Sequence, residues 1–281
     1  MSSYMVRKLK DRLVFVSCLI CVIVAIIPLG SVLFEVTRNG IPAFSLEFLT
    51  QPPGVIGERE GGIANAIQGT LIMIGLTCII GVPLGLITGI YLAEFGANKY
   101  GKAIRFFADV LTGFPSIVVG IFAYLIVVLV IGSFSAIAGA IALAIIMLPI
   151  VARTAEESLK LVPNSIREAA MALGIRRWRT ILSVVLGVAS SGIVTGIMLS
   201  IARIAGETAP LIMTILGSQW FFAGFSQPMD ALPLRVWRLS LLPYDYAHQQ
   251  GWGAALILII LVLILNVGVR FAIKGRFRTL R

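Results

Sequence analysis

Five stretches of this chain carry no formally charged residue and are long enough to cross a bilayer: Leu13 to Phe34, Gly61 to Ala93, Val110 to Ala152, Thr180 to Ala202 and Gly251 to Val269. A hydrocarbon core about 30 Å thick is spanned by about 20 helical residues, so each run is a candidate membrane helix. The third run is roughly twice the length one crossing needs. Its middle, "GSFSA" at Gly132 to Ala136, supplies small and polar turn residues, which predicts two spans joined by a tight hairpin. The expectation is an all-α integral membrane protein with six transmembrane helices. A hydrophobic fraction of 58% and a mean hydropathy of +0.99 over 281 residues exclude a soluble globular chain.

The formal net charge of +10 could suggest nucleic acid as a partner, but its distribution argues otherwise. With both termini in the cytoplasm, 18 of the 23 Lys and Arg residues fall inside. They cluster before the first span, at Lys99, Lys102 and Arg105, between Arg153 and Arg179, and from Arg270 onward. Only Arg38, Arg59, Arg235 and Arg238 fall in outer loops. This asymmetry obeys the positive-inside rule, and topology accounts for the basicity without nucleic acid.

A sixth uncharged stretch, Thr208 to Met229, is nearly long enough to cross, yet a crossing would turn the basic C-terminal tail outward. Its "ILGSQWFFAGF" segment is therefore expected to be interfacial or re-entrant on the outer side, where irregular backbone is tolerated if protein or water covers it. The first run follows basic residues as a signal peptide does, but it is 22 residues long with no A-x-A site after it, so a retained helix is expected. Cys18, Cys21 and Cys78 fall within spans and read as small apolar residues, not as a redox pair.

In the second span, Gly81, Gly85 and Gly89 recur at four-residue spacing on one helix face, which predicts close packing against another helix. Pro83 beside them and Pro149 in the fourth span are expected to loosen local backbone hydrogen bonding. Between the fourth and fifth spans, "PNSIREAAMALG" reads as a short helix opened by Pro163 and stopped by Gly174. Ile166, Ala169, Ala170 and Leu173 form an apolar stripe at i, i+3, i+4 and i+7. Such a helix suits either lipid headgroups or the groove of a partner protein.

Some chemistry is excluded. "GANKYGKA", Gly96 to Ala103, fits the P-loop pattern except that Ala103 lacks the magnesium-ligating hydroxyl, and no nucleotide-binding strand precedes it. A membrane enzyme would need clustered carboxylates, histidines or a nucleophile with its base. This chain has one histidine, His248, placed in an outer loop, while Glu156 and Glu157 read as a solvated face of the inner loop. No metal-ligand set is evident.

At that inner loop the sequence resembles the transmembrane subunits of ABC importers, whose signature is E-A-A, three residues, G, nine residues, I-x-L-P. Glu168, Ala169, Ala170 and Gly174 match in register, followed by Val184, Leu186 and Gly187. Gly187 replaces the usual proline, a departure at the kink that normally follows. "RIAGETAPLIMT", Arg203 to Thr214, and "LTGFPSIVVGIFAY", Leu111 to Tyr124, are similar to segments of a permease of phosphate-specific ABC transporters. The resemblance covers about residues 63 to 275, a permease core with its coupling loop at 153 to 179, after a first helix and outer loop at 1 to 62 and before a basic tail at 276 to 281.

The resemblance implies a type I ABC importer permease fold with N-in/C-in topology in the bacterial cytoplasmic membrane. It implies that Glu168, Ala169, Ala170 and Gly174 belong to a coupling helix that docks into a separate ATPase. ATP and Mg would be bound by that subunit, with no cofactor in this chain. A second homologous permease and an extracytoplasmic phosphate-binding protein complete the expected partners.

Arg203 and Glu207 follow 23 uncharged residues and stand one helical turn apart, close enough to pair. An ionisable residue at membrane depth costs about 2.5–3.5 kcal/mol on insertion scales and normally faces a partner or a pathway. The pair is either self-neutralising at the outer interface or, with Thr208, part of a substrate pathway in which the guanidinium fork meets an oxyanion. Phosphate is the expected substrate. An importer permease for sulfate or molybdate, a membrane enzyme and a passive channel are the alternatives.

Overall fold

The computed structural model describes residues 2–54 and 61–277, so Arg59, Arg278 and Arg281 of the charge tally lie outside the described residues. The regular structure of the described residues is helical, without strands. In chain order the helices are α1 (Ser2–Gly40), α2 (Leu46–Thr50), α3 (Ala64–Phe95), α4 (Lys99–Gly113), α5 (Ser116–Ile131), α6 (Ala136–Lys160), α7 (Asn164–Ala172), α8 (Arg177–Ala205), α9 (Ala209–Thr214), α10 (Leu232–Leu241) and α11 (Asp245–Phe277). Among them α1, α3, α6, α8 and α11 are each long and apolar enough to cross a membrane, and α4 with α5 makes a sixth candidate bent by 106°.

The bend corrects the expected start of the third span. Val110 lies in the last turn of α4, and the chain turns at Phe114 and Pro115, both in extended conformation with ψ of 137° and 132°. Proline lacks the N–H a helix needs and disfavours helical geometry in the residue before it, so the uncharged run cannot continue straight. The hairpin at "GSFSA" forms as expected: Gly132 is left-handed at φ 78°, and the Ser135 hydroxyl accepts from the Ala138 N–H to cap α6.

Helix α6 is the centre of the bundle. Two rows of glycine let neighbours approach it from different sides. A Cβ on Gly81, Gly85 or Gly89 of α3 would meet Met147, Val151 or Ala155 of α6 within 3.0 Å. On α8, a Cβ on Gly192 or Gly196 would collide with Ser158 or Thr154. Small side chains at such spacing allow backbone approach, which lipid-solvated helices need because no hydrophobic force drives them together. Around these contacts Met73, Leu143, Met147, Val151, Ile204, Leu211 and Ile215 form the main core. The expected result of Gly89→Val is separation of α3 from α6 at a cost of about 1–3 kcal/mol, read as a lowered thermal midpoint of the purified protein. Gly75→Ala, where an added Cβ meets nothing within 4 Å, leaves that midpoint unchanged.

The uncharged stretch Thr208 to Met229 does not cross. It forms α9 and then an irregular segment whose backbone is satisfied by protein: Ser135 N–H donates to Thr214 O, Ala136 N–H to Gln227 O, and Ile137 N–H to Phe225 O, at 3.0–3.2 Å. Asn65 donates to Ser218 O at 2.8 Å, and the Gln68 side chain accepts from the Phe222 N–H. Protein contacts thus hold part of this irregular backbone, while Trp220, Phe221 and Phe225 stay exposed. Helix α8 runs through Gly187 as one span, and its departure from α geometry is a π segment at Thr180–Val185 just before it. His248 stands in the first turns of α11, not in a loop.

Candidate functional site

Two places carry the residues singled out by sequence, and they lie at opposite ends of α8. At its C-terminal end the helix stops at Ala205, where Gly206 N–H donates to Arg203 O and Glu207 N–H to Ile204 O. Pro210 then sits in the first turn of α9, where its missing N–H would have no helical partner anyway. The break leaves Arg203 on the last turn of α8 and Glu207 just beyond it. Arg203 Nε lies 3.5 Å from Glu207 Oε1, with the Arg203 side chain 48% exposed and that of Glu207 14% exposed. The partial negative charge of a helix C-terminus favours a cation there. The carboxylate is thus largely covered while about half of the arginine side chain is exposed. Thr208 is half-buried beside them, and its carbonyl accepts from the Leu211 and Ile212 N–H groups. Gly120 of α5 packs against Pro210, where a Cβ would come within 2.7 Å of the proline Cα.

At the other end, α7 lies between α6 and α8. Pro163 precedes its first residue as the N-cap, and Gly174 at φ 81° ends it. The stop is a Schellman motif: Ile175 N–H donates to Ala170 O and Gly174 N–H to Met171 O. Of the expected apolar stripe, Ile166 and Ala170 face the bundle, whereas Ala169 is exposed and Leu173 is 82% exposed. Glu168 and Gly174 are exposed as well. The helix therefore presents a second, uncovered face with Leu173 and Met171 on it.

Sequence reading missed the charges that organise this end. Glu156 is not solvated: its side chain is 2% exposed and accepts from Arg105 Nε at 2.7 Å and from Lys160, with Arg153 Nη1 at 3.5 Å. Arg153 also pairs with Asp109 of α4. Arg105 reaches further, donating to the carbonyls of Gly96 and Leu92 at 2.8 Å each. The i−3 and i+4 positions of Arg153 and Lys160 were a visible signal; Arg105, 51 residues away, was not. Glu157 is exposed, as expected.

Arg235 is not a loop charge but is buried against Asp230. Burial pushes the Asp230 carboxyl up and the Arg235 guanidinium down from their ordinary values, each opposed by the other's charge. Arg235 and Arg238 also donate to the carbonyls of Ser218 and Leu216, tying the re-entrant segment to α10.

A bundle of membrane-crossing helices with a re-entrant segment at one end and a half-uncovered amphipathic helix at the other is the framework of a transport-system permease. The fold matches a chain of the MetNI methionine ABC transporter in an inward-facing conformation, with a TM-score of 0.57 at 17% identity, covering 78% of this chain and 97% of that one. The chain belongs to the binding-protein-dependent transport system inner membrane components, whose family profile matches residues 81–275. It is 42% identical over 266 residues to the phosphate transport system permease protein PstA of Pasteurella multocida (strain Pm70), covering 94% of each chain. It is 44% identical over 236 residues to the protein of that name from Xylella fastidiosa (strain 9a5c), covering 83% of this chain and 81% of that one.

Proposed function

We propose that this chain is the permease subunit of an ATP-driven importer of inorganic phosphate. The observation that carries this reading is the half-exposed Arg203 side chain, held at the end of α8 beside a largely covered Glu207. A planar fork of donors suits a tetrahedral oxyanion, and a phosphate carrying one to two charges needs such compensation to cross hydrocarbon. The names of the relatives support the substrate.

The pathway forms between this chain and a second, PstC-like permease. A PstS-like extracytoplasmic binding protein delivers phosphate, and PstB-like ATPase subunits dock on the uncovered face of α7. These subunits bind ATP and Mg; the chain itself holds no cofactor and performs no covalent chemistry. Both termini face the cytoplasm of a bacterium, with the chain in its inner membrane. The inner concentration of Lys and Arg supports that orientation.

The test is ATP-dependent uptake of labelled phosphate into proteoliposomes containing this chain, its partner permease, the ATPase and the binding protein. Uptake that excess sulfate leaves unchanged is the expected result. Uptake of sulfate or molybdate in its place by an ATP-hydrolysing complex would overturn the substrate.

A further inference from the structure

Arg167 is the second charged group of the inner end that no loop reading explains. It sits on α7, next to the exposed Glu168, but its side chain is only 17% exposed and turns into the bundle. All three guanidinium nitrogens are engaged. Nε and Nη2 donate to Glu94 Oε1 at 3.2 and 3.0 Å, Nη2 also donates to Leu159 O at 2.9 Å, and Nη1 donates to Val162 O. Glu94 lies in the last turn of α3, and its side chain is 8% exposed. Leu159 lies in the last turn of α6, and Val162 just past it.

The physical logic is that α3 and α6 both end here, and the last carbonyls of a helix have no intrahelical donor. A cation is favoured at that end, and a fork with several donors serves the Leu159 carbonyl of α6 and the Glu94 carboxylate of α3 together. The contact is polar, directional and shielded from water, so it resists displacement more than an exposed pair does.

It also has a mechanical consequence. α7 is continuous in chain with α8 and rests on its π segment, while Ile166 adds an apolar contact to the cluster around Leu159 and Val185. Among the described residues, the ion pair of Arg167 with Glu94 is the one that joins α7 to a membrane-crossing helix. α3 and α6 are the pair locked together by Gly81, Gly85 and Gly89.

We infer that Arg167 is the positioning residue that transmits displacement of α7 to the α3–α6 pair. This rests on the proposed function, in which an ATPase moves α7. Without the strut, α7 would still seat its partner but would shift against α3 instead of carrying it.

The test uses the whole reconstituted complex with Arg167→Ala, Arg167→Lys and Glu94→Gln. Two ratios are read: phosphate imported per ATP hydrolysed, and the factor by which the binding protein stimulates hydrolysis. Arg167→Ala is expected to assemble and keep basal hydrolysis while both ratios fall about tenfold, the size expected for lost charge-assisted hydrogen bonds. Glu94→Gln touches nothing on the uncovered face of α7, and it is expected to lower both ratios by a smaller factor. Arg167→Lys keeps the charge and recovers part of the loss.

Wild-type ratios in Arg167→Ala would overturn the inference. So would failed assembly in Arg167→Ala beside wild-type ratios in Glu94→Gln, which would make Arg167 part of the docking surface. If the wild-type complex hydrolyses ATP but imports no phosphate, the substrate reading fails. The stimulation factor still decides the role of Arg167, because it needs no particular anion.

Discussion

Replacing Arg203 with alanine is expected to reduce phosphate uptake at least about thirtyfold, on the order of 2 kcal/mol or more, while the protein still assembles with its ATPase and hydrolyses ATP. The size follows from truncating one member of a charge pair that a ligand must engage away from bulk water, about 2–5 kcal/mol. Two losses combine. The oxyanion loses its fork of donors, and Glu207, only 14% exposed, is left without its cation and repels the incoming anion. Arg203→Lys preserves charge but not the planar fork, so its uptake is expected to fall between the two. Because Arg203 is 48% exposed in this chain, its removal opens no cavity in the core, and the folded yield is expected to stay near wild type. Undiminished uptake in Arg203→Ala would make the pair a structural feature of the end of α8.

The largest effect on stability is expected at Glu156. Glu156→Ala would leave Arg105, Arg153 and Lys160 gathered at the C-terminal end of α6 without the carboxylate they share. Glu156 is the buried member, while Arg105 and Arg153 keep 24% and 31% exposure, so the loss is expected to fall below the about 3–5 kcal/mol of a fully buried pair. Arg105 cannot readily leave, since it also binds the carbonyls of Leu92 and Gly96. The expected readout is a markedly lower thermal midpoint and a smaller folded fraction in detergent. Lys160→Ala is the contrasting case: that side chain is 52% exposed, and its loss is expected to change stability by no more than about 1 kcal/mol. Equal effects from the two substitutions would show that Glu156 is not the hub of the cluster.

Where the determining signal lay within a few residues, it could be read directly. Gly132 and Ser135 specify the hairpin because one takes a left-handed φ and the other caps the next helix. Pro163 and Gly174 bound α7 for the same kind of local reason. The stripe on α7 was read correctly as a stripe, but only Ile166 and Ala170 met the bundle. Periodicity locates an apolar face without saying what covers it. Arg203 and Glu207 were legible as a pair through their i, i+4 spacing, whereas the exposure of the arginine side chain needed coordinates. The 106° turn at Pro115 was written in a residue whose effect is local, yet the long uncharged run concealed it.

By itself, the sequence determined that the chain lives in a membrane, about where most of its spans fall, and where the hairpin at Gly132 turns. Bilayer thickness, proline and glycine geometry and the asymmetry of charge all act over one helix or less. The tertiary structure alone decided which charges are structural. Glu156 depends on Arg105 and Glu94 on Arg167, each brought from a different helix. A buried charge is tolerated only when its partners arrive together, and that meeting is a property of the packed bundle.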